Sequence, residues 1–195
     1  MFTRAIAALL LVAAVVPTWA ATVLPMNLEE MVAHANRIFV GKAIAVRVTR
    51  DPYLQVPVRF TTFDVIRPIK GQLGATVTIK QMGSTIPGQT SVIPGTLSFD
   101  IGREVVLFLT GESTIGFSNP VGLFQGALPV VTDRGGQKTV IGPFTPQRLL
   151  KGIKSQAVLY SVLSASTSPK GAAVGTTRVG YDQFMGTIER MVGGR

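Results

Sequence analysis

Residues 37–50 read Arg-Ile-Phe-Val-Gly-Lys-Ala-Ile-Ala-Val-Arg-Val-Thr-Arg. Ile38, Val40, Ile44, Val46 and Val48 fall in one phase of a two-residue period, the spacing of a strand with one face turned to a core. Lys42 breaks that phase and marks either a bulge or a side chain that snorkels. Asp51-Pro52 ends the strand. Downstream, Val58 to Ile66 (VRFTTFDVI) is rich in β-branched and aromatic residues and reads as a second strand, closed by Pro68 and Gly71. Ala75 to Gln81 alternates and is a third. Glu104 to Thr110 (EVVLFLT) is nearly continuous in apolar residues, as a central strand buried on both faces is. Leu123 to Val131 reads as a fifth strand, interrupted by Gly126 and Pro129. Asp133-Arg134-Gly135-Gly136 is a hairpin turn that returns the chain through Gln137 to Ile141. No helix between these runs can serve as a parallel crossover, so the sheet is predicted to be antiparallel.

Flanking segments differ in kind. Asn27 and Glu30 make a capping-box pair, and Leu28, Met31, Val32 and Ala35 share a helical face, which predicts a short helix ending near Asn36. Gly83 to Ser98 reads as a long loop. Thr145-Pro146 opens a segment, 143–163, with Leu149, Leu150, Ile153 and Ala157 on one face and Arg148, Lys151 and Lys154 on the other. Its later part, Val158 to Leu163, reads as helix or strand. Residues 164–180 have the composition of a flexible linker. Tyr181 to Val192 reads as an amphipathic helix that must dock on its own domain or on a partner. The expected domain spans 27–142 with a helical C-terminal extension.

The start of the sequence is a leader by composition. Arg4 gives a positive beginning, Ala5 to Val16 is apolar throughout, and cleavage is expected after Ala20, with Ala21 the poorer alternative because it would place Trp19 in a small site. That apolar run is too short to span a bilayer, which takes about 20 residues, and no second apolar run of that length follows, so no transmembrane segment is expected after cleavage. The expected location is exported, periplasmic or secreted. With no cysteine in the chain, packing alone must hold the domain.

The formal net charge is +9 and unevenly placed: residues 37–80 carry eight basic and two acidic side chains, residues 81–133 one and four, and residues 134–195 nine and two. This balance favours an anionic surface or an envelope protein as partner, with no specific nucleic acid indicated. Arg148, Lys151 and Lys154 are the candidate residues for such a surface.

Three phrases carry a family resemblance: Ile38-Phe39-Val40-Gly41-Lys42-Ala43, Val65-Ile66-Arg67-Pro68-Ile69-Lys70-Gly71, and Gly102-Arg103-Glu104-Val105-Val106-Leu107-Phe108-Leu109. In these the β region resembles uncharacterised exported bacterial proteins. More distantly its order is similar to the netrin module of tissue inhibitors of metalloproteinases. The resemblance implies an antiparallel, five- or six-stranded OB-like barrel, a fold that binds ligands on an open strand face and its neighbouring loops. Those inhibitors place an N-terminal cysteine on zinc, and that mechanism cannot carry over to a chain without cysteine.

Residues for chemistry are sparse. His34 is the only histidine, one helical turn after Glu30, too little for a zinc site. It is also the only candidate base for a Ser-His-acid triad, and nothing in the spacing of Ser84, Ser91 or Ser98 places them beside it. Asp64, Asp100, Glu104 and Glu112 are the candidates for paired carboxylates. No nucleotide-binding glycine signature occurs, and no cofactor is indicated. The leading expectation is therefore a non-catalytic binding or interaction module of the cell envelope. The alternatives are a hydrolase with a Ser-Lys or carboxylate site, which needs such a pair in a deep pocket, and an inhibitor of an exported protease. The inhibitor reading needs the loop 83–98 to stand free.

Overall fold

The computed structural model describes residues 24–142, 166–167 and 177–194. The leader with Ala20 and Ala21, and the segment carrying Arg148, Lys151 and Lys154, lie outside the described residues.

The chain forms α1 (Leu28–His34), β1 (Arg37–Arg50), β2 (Pro57–Lys70), β3 (Thr76–Met82), a small hairpin of β4 (Thr85–Ile86) and β5 (Gln89–Thr90), β6 (Glu104–Leu109), β7 (Ala127–Thr132), β8 (Lys138–Gly142), β9 (Ser166–Thr167), β10 (Thr177–Gly180) and α2 (Tyr181–Gly193). The main sheet has eight strands in the order β3-β2-β1-β6-β7-β8-β10-β9, with every ladder antiparallel. The fold is thus mainly β and antiparallel, as the strand runs predicted. Among the described residues no closed barrel is found: no ladder joins β3 to the far end of the sheet.

β6 is buried on both faces, and this explains its apolar run. Val106 and Phe108 point into one core with Ile38, Val40, Leu128, Val140, and the helices' Leu28, Met31, Phe184, Met185 and Ile188. Val105, Leu107 and Leu109 point into a second core with Phe39, Phe63, Val77 and Ile79. One side of the sheet is therefore covered by both helices. α2 docks on its own domain, and Arg67 donates from Nε and Nη2 to Glu189 Oε1, each at 2.8 Å, tying α2 to β2. α1 begins with the predicted capping box, Glu30 N to Asn27 Oδ1 at 2.9 Å and Asn27 N to Glu30 Oε2 at 2.8 Å. Its far end is held by Lys70, whose ammonium donates to the carbonyls of Val32 and Ala35.

Several details differ from the sequence pattern. In β1 the register slips between Ile38 and Phe39, between Val40 and Gly41, and between Ala43 and Ala45, so the two-residue phase does not run through. Ile38 and Val40 reach the core, while Ile44 and Val46 stay 45 % and 37 % exposed. β2 continues through Pro68 to Lys70, because the slip opposite Phe39 absorbs the proline. Leu123–Gly126 is a 3-10 turn and not the start of a strand, entered through Gly122 and Leu123, both at φ 60°. Residues 177–180, within the stretch of linker-like composition, form β10 and pair with β8 from Thr177–Gly142 to Gly180–Thr139.

Gly126 shows how tightly the 3-10 turn is seated. A Cβ there would lie 2.6 Å from both the nitrogen and the oxygen of Val121 and 2.9 Å from the carbonyl oxygen of Phe108. These are backbone atoms and cannot swing away. Gly126→Ala is expected to destabilise the domain by about 1–3 kcal/mol, measured by urea unfolding; an unchanged midpoint would show that the turn can shift.

Candidate functional site

Alternation along β7 and β8 builds a pocket. Leu128 and Val130 on β7 and Val140 on β8 face the helices. Ala127, Pro129 and Val131, with Ile141, take the opposite phase and line a cavity of about 650 Å³. On that side Leu97 and Phe99 pack against the second core, beside residues of β1, β2 and β3. The cavity lies between β7 and β8, Phe124 and the segment 97–105.

Its polar side chains are Ser98, Asp100, Arg103 and Glu104, and the first three are solvent-exposed, which sets them at its mouth. Residues 100–103 make a turn that needs Gly102 at φ 86°. Arg103 N donates to Asp100 O at 3.2 Å, and the turn is pinned to β1 by Gly102 N to Ala43 O at 2.7 Å and Ala43 N to Arg103 O at 3.1 Å. Glu104 is paired with Lys138 at 2.7 Å. The Ser98 hydroxyl accepts a hydrogen bond from Arg59 Nη1. Asp100 and Arg103 are exposed, and neither forms an ion pair among the described residues.

The residues singled out for chemistry do not converge. His34 is exposed at the end of α1, and the carboxylate of Glu30 is engaged with Asn27 N. Glu112 pairs with Arg37 at 3.0 Å, and Asp64 is exposed on β2. Among the described residues no three His, Cys, Asp or Glu side chains cluster. Ser84 is buried, and Ser98 shares the pocket mouth with Asp100 and Glu104, yet its hydroxyl meets an arginine, which supplies no general base. The loop 83–98 does not stand free. It folds into the β4–β5 hairpin, Ser91 N donates to Ser84 O at 2.8 Å, Gln89 Nε2 reaches Gln55 O at 2.9 Å, and Leu97 seats on the second core.

A buried ion pair was not foreseen. Asp51 is 0 % exposed, and Lys80 Nζ lies 2.5 Å from its Oδ2. Lys80 also donates to Ile115 O at 2.8 Å and sits 4.4 Å from the centre of the Phe117 ring. The other carboxylate oxygen, Oδ1, accepts from Tyr53 N at 2.9 Å and Leu54 N at 2.7 Å. The hydrogen bond from Lys80, then that from Leu54, holds the Asp51 carboxyl below its ordinary 3.8 against the opposing effect of burial. The pair is buried and does not line the pocket.

Among the described residues no helix is long and apolar enough to cross a membrane. Comparison of the chain with protein families, with curated proteins and with solved structures gives no match.

Proposed function

We propose that this protein is an exported, non-catalytic binding module of the cell envelope, and that the pocket over β7 and β8 is its binding site. The observation that carries this reading is the pocket itself: an apolar cavity of about 650 Å³ with its polar groups gathered at one rim. That is the usual form of a ligand site and falls within the common range of about 300–1,000 Å³. The leader composition of residues 1–20 supports export. The packing of the loop 83–98 onto its own sheet removes support from an inhibitory loop.

The OB-like reading of the sheet belongs to this proposal. Lys80 bridges to Phe117 and Leu109 to Pro120, so residues 117–120 carry the free edge of β3 toward the end of β6. A curl of that kind leaves its open side at β7 and β8, where the pocket lies. Partnership with an anionic surface through Arg148, Lys151 and Lys154 rests on the basic charge of that segment.

The binding reading is tested with 8-anilinonaphthalene-1-sulfonate. The full chain is expected to enhance its fluorescence, and Val131→Trp, which fills the pocket from a partly buried strand position, is expected to abolish most of the enhancement while leaving the far-ultraviolet spectrum unchanged. Equal enhancement by both proteins would place the dye elsewhere and remove the pocket from the proposal.

A further inference from the structure

We infer that the pocket takes the single acyl chain of a zwitterionic amphiphile, whose headgroup is held between Asp100 and Arg103. This rests on the binding reading above and specifies its ligand.

The walls decide between an acyl chain and a peptide. Leu97, Phe99, Phe124, Ala127, Val131 and Ile141 offer hydrocarbon alone. The backbone of the strands beneath is already engaged: Glu104 with Val130 and Val105 with Pro129 in one ladder, Val130 with Val140 and Val131 with Thr139 in the next. Among the described residues no strand edge is open at the pocket to receive a peptide as an added strand. A peptide drawn inside would leave its own N–H and C=O groups without partners, and this cost falls on every residue. A methylene chain has no such groups and gains from each carbon removed from water.

The mouth selects the headgroup. Of its four polar side chains, Glu104 is neutralised by Lys138 and the Ser98 hydroxyl is occupied by Arg59. That leaves Asp100 and Arg103, opposite in charge and set on one turn that is fastened to Ala43 by two backbone hydrogen bonds. A fixed pair of this kind matches a head that carries both charges. A fatty-acid carboxylate would face Asp100, and a lone ammonium would face Arg103, each with one favourable and one opposed contact. Between the two charges stands Ile101, 64 % exposed. An apolar tip flanked by charges suits contact with the headgroup layer from which such a ligand is drawn.

Displacement of the anilinonaphthalene dye from the full chain tests this, using four probes below their aggregation thresholds: lauroyl lysophosphatidylethanolamine, lauric acid, dodecyltrimethylammonium and an uncharged apolar tetrapeptide. The lysophospholipid is expected to displace the dye at least about tenfold more tightly than either singly charged amphiphile, and the tetrapeptide not at all. Val131→Trp, followed by calorimetric titration because it has lost the dye, is expected to weaken every amphiphile by about tenfold or more, and Arg103→Glu, on the exposed turn, to shift preference toward dodecyltrimethylammonium in the displacement assay. Equal displacement by all three headgroups, or an unchanged preference in Arg103→Glu, overturns the headgroup assignment. Displacement by the tetrapeptide overturns the acyl-chain assignment. Dye bound by the wild type and lost in Val131→Trp, with no amphiphile displacing it, overturns this inference and leaves the binding reading standing; no dye bound at all overturns both.

Discussion

Phe63→Ala is expected to lower the unfolding free energy by about 3–5 kcal/mol, a large share of the roughly 5–15 kcal/mol that holds a domain of this size together. Phe63 is completely buried. Its ring meets Phe39 edge-on at 6.2 Å between centres and Phe99 at 5.1 Å. The three rings join β1, β2 and the segment that forms the pocket wall. Truncation removes the apolar transfer energy of the ring, both edge-to-face contacts, and the anchor of Phe99. Urea unfolding of the full chain measures the loss. Destabilisation below about 1 kcal/mol would show that neighbouring side chains collapse into the space, contrary to the close packing described here.

Lys80→Met is the second change with a large expected effect. It leaves the Asp51 carboxylate buried with only the N–H groups of Tyr53 and Leu54 as hydrogen-bond donors. Removing one member of a buried pair costs much more than replacing both, so a fall in Tm of about 10 °C or more is expected near neutral pH. Asp51→Asn placed in the same chain should restore a good part of that fall. The pH dependence has a definite sign. In the wild type the Asp51 pKa lies below its unfolded value, so the pair contributes fully above about pH 4 and its contribution is lost as the pH drops through the lower folded value. Without Lys80 the buried carboxyl binds its proton more readily, and acid relieves the penalty. The Tm gap between wild type and Lys80→Met should therefore narrow below about pH 4. A gap that is constant from neutral pH into acid would assign the effect to packing against Phe117 and not to charge.

The sequence is most legible where one element's own residues decide its form. The unbroken run from Val105 to Leu109 announces a strand buried on both faces, and it lies between β1 and β7 with a core on either side. Asn27 and Glu30 announce the helix start they build. Asp133 closes the hairpin as expected, accepting from Gly135 N at 2.8 Å and Gln137 N at 2.9 Å. What stays hidden depends on how separate stretches meet. The slips in β1 arise in its pairing with β2, which no alternation within 37–50 encodes. Arg178-Val179 belongs to β10, yet glycine, serine and threonine around it dilute the strand signal. Asp51 looked like a simple strand stop because Asp-Pro is a common one, and only the return of β3 brings Lys80 to it. The pocket is least legible of all. Val131 and Ile141 read as ordinary strand positions, and their role arises from the place where the covering segment ends.

The docking of α2 sets a clock on the molecule's assembly. Phe184, Met185 and Ile188 complete the interior that α1 begins, so these two helices mature together. Until α2 is made, Leu28, Met31 and Val140 have only part of their surroundings, and the nascent chain stays apolar on that side. That face of the sheet is therefore completed by contacts that reach from Leu28 to Ile188, far apart along the chain.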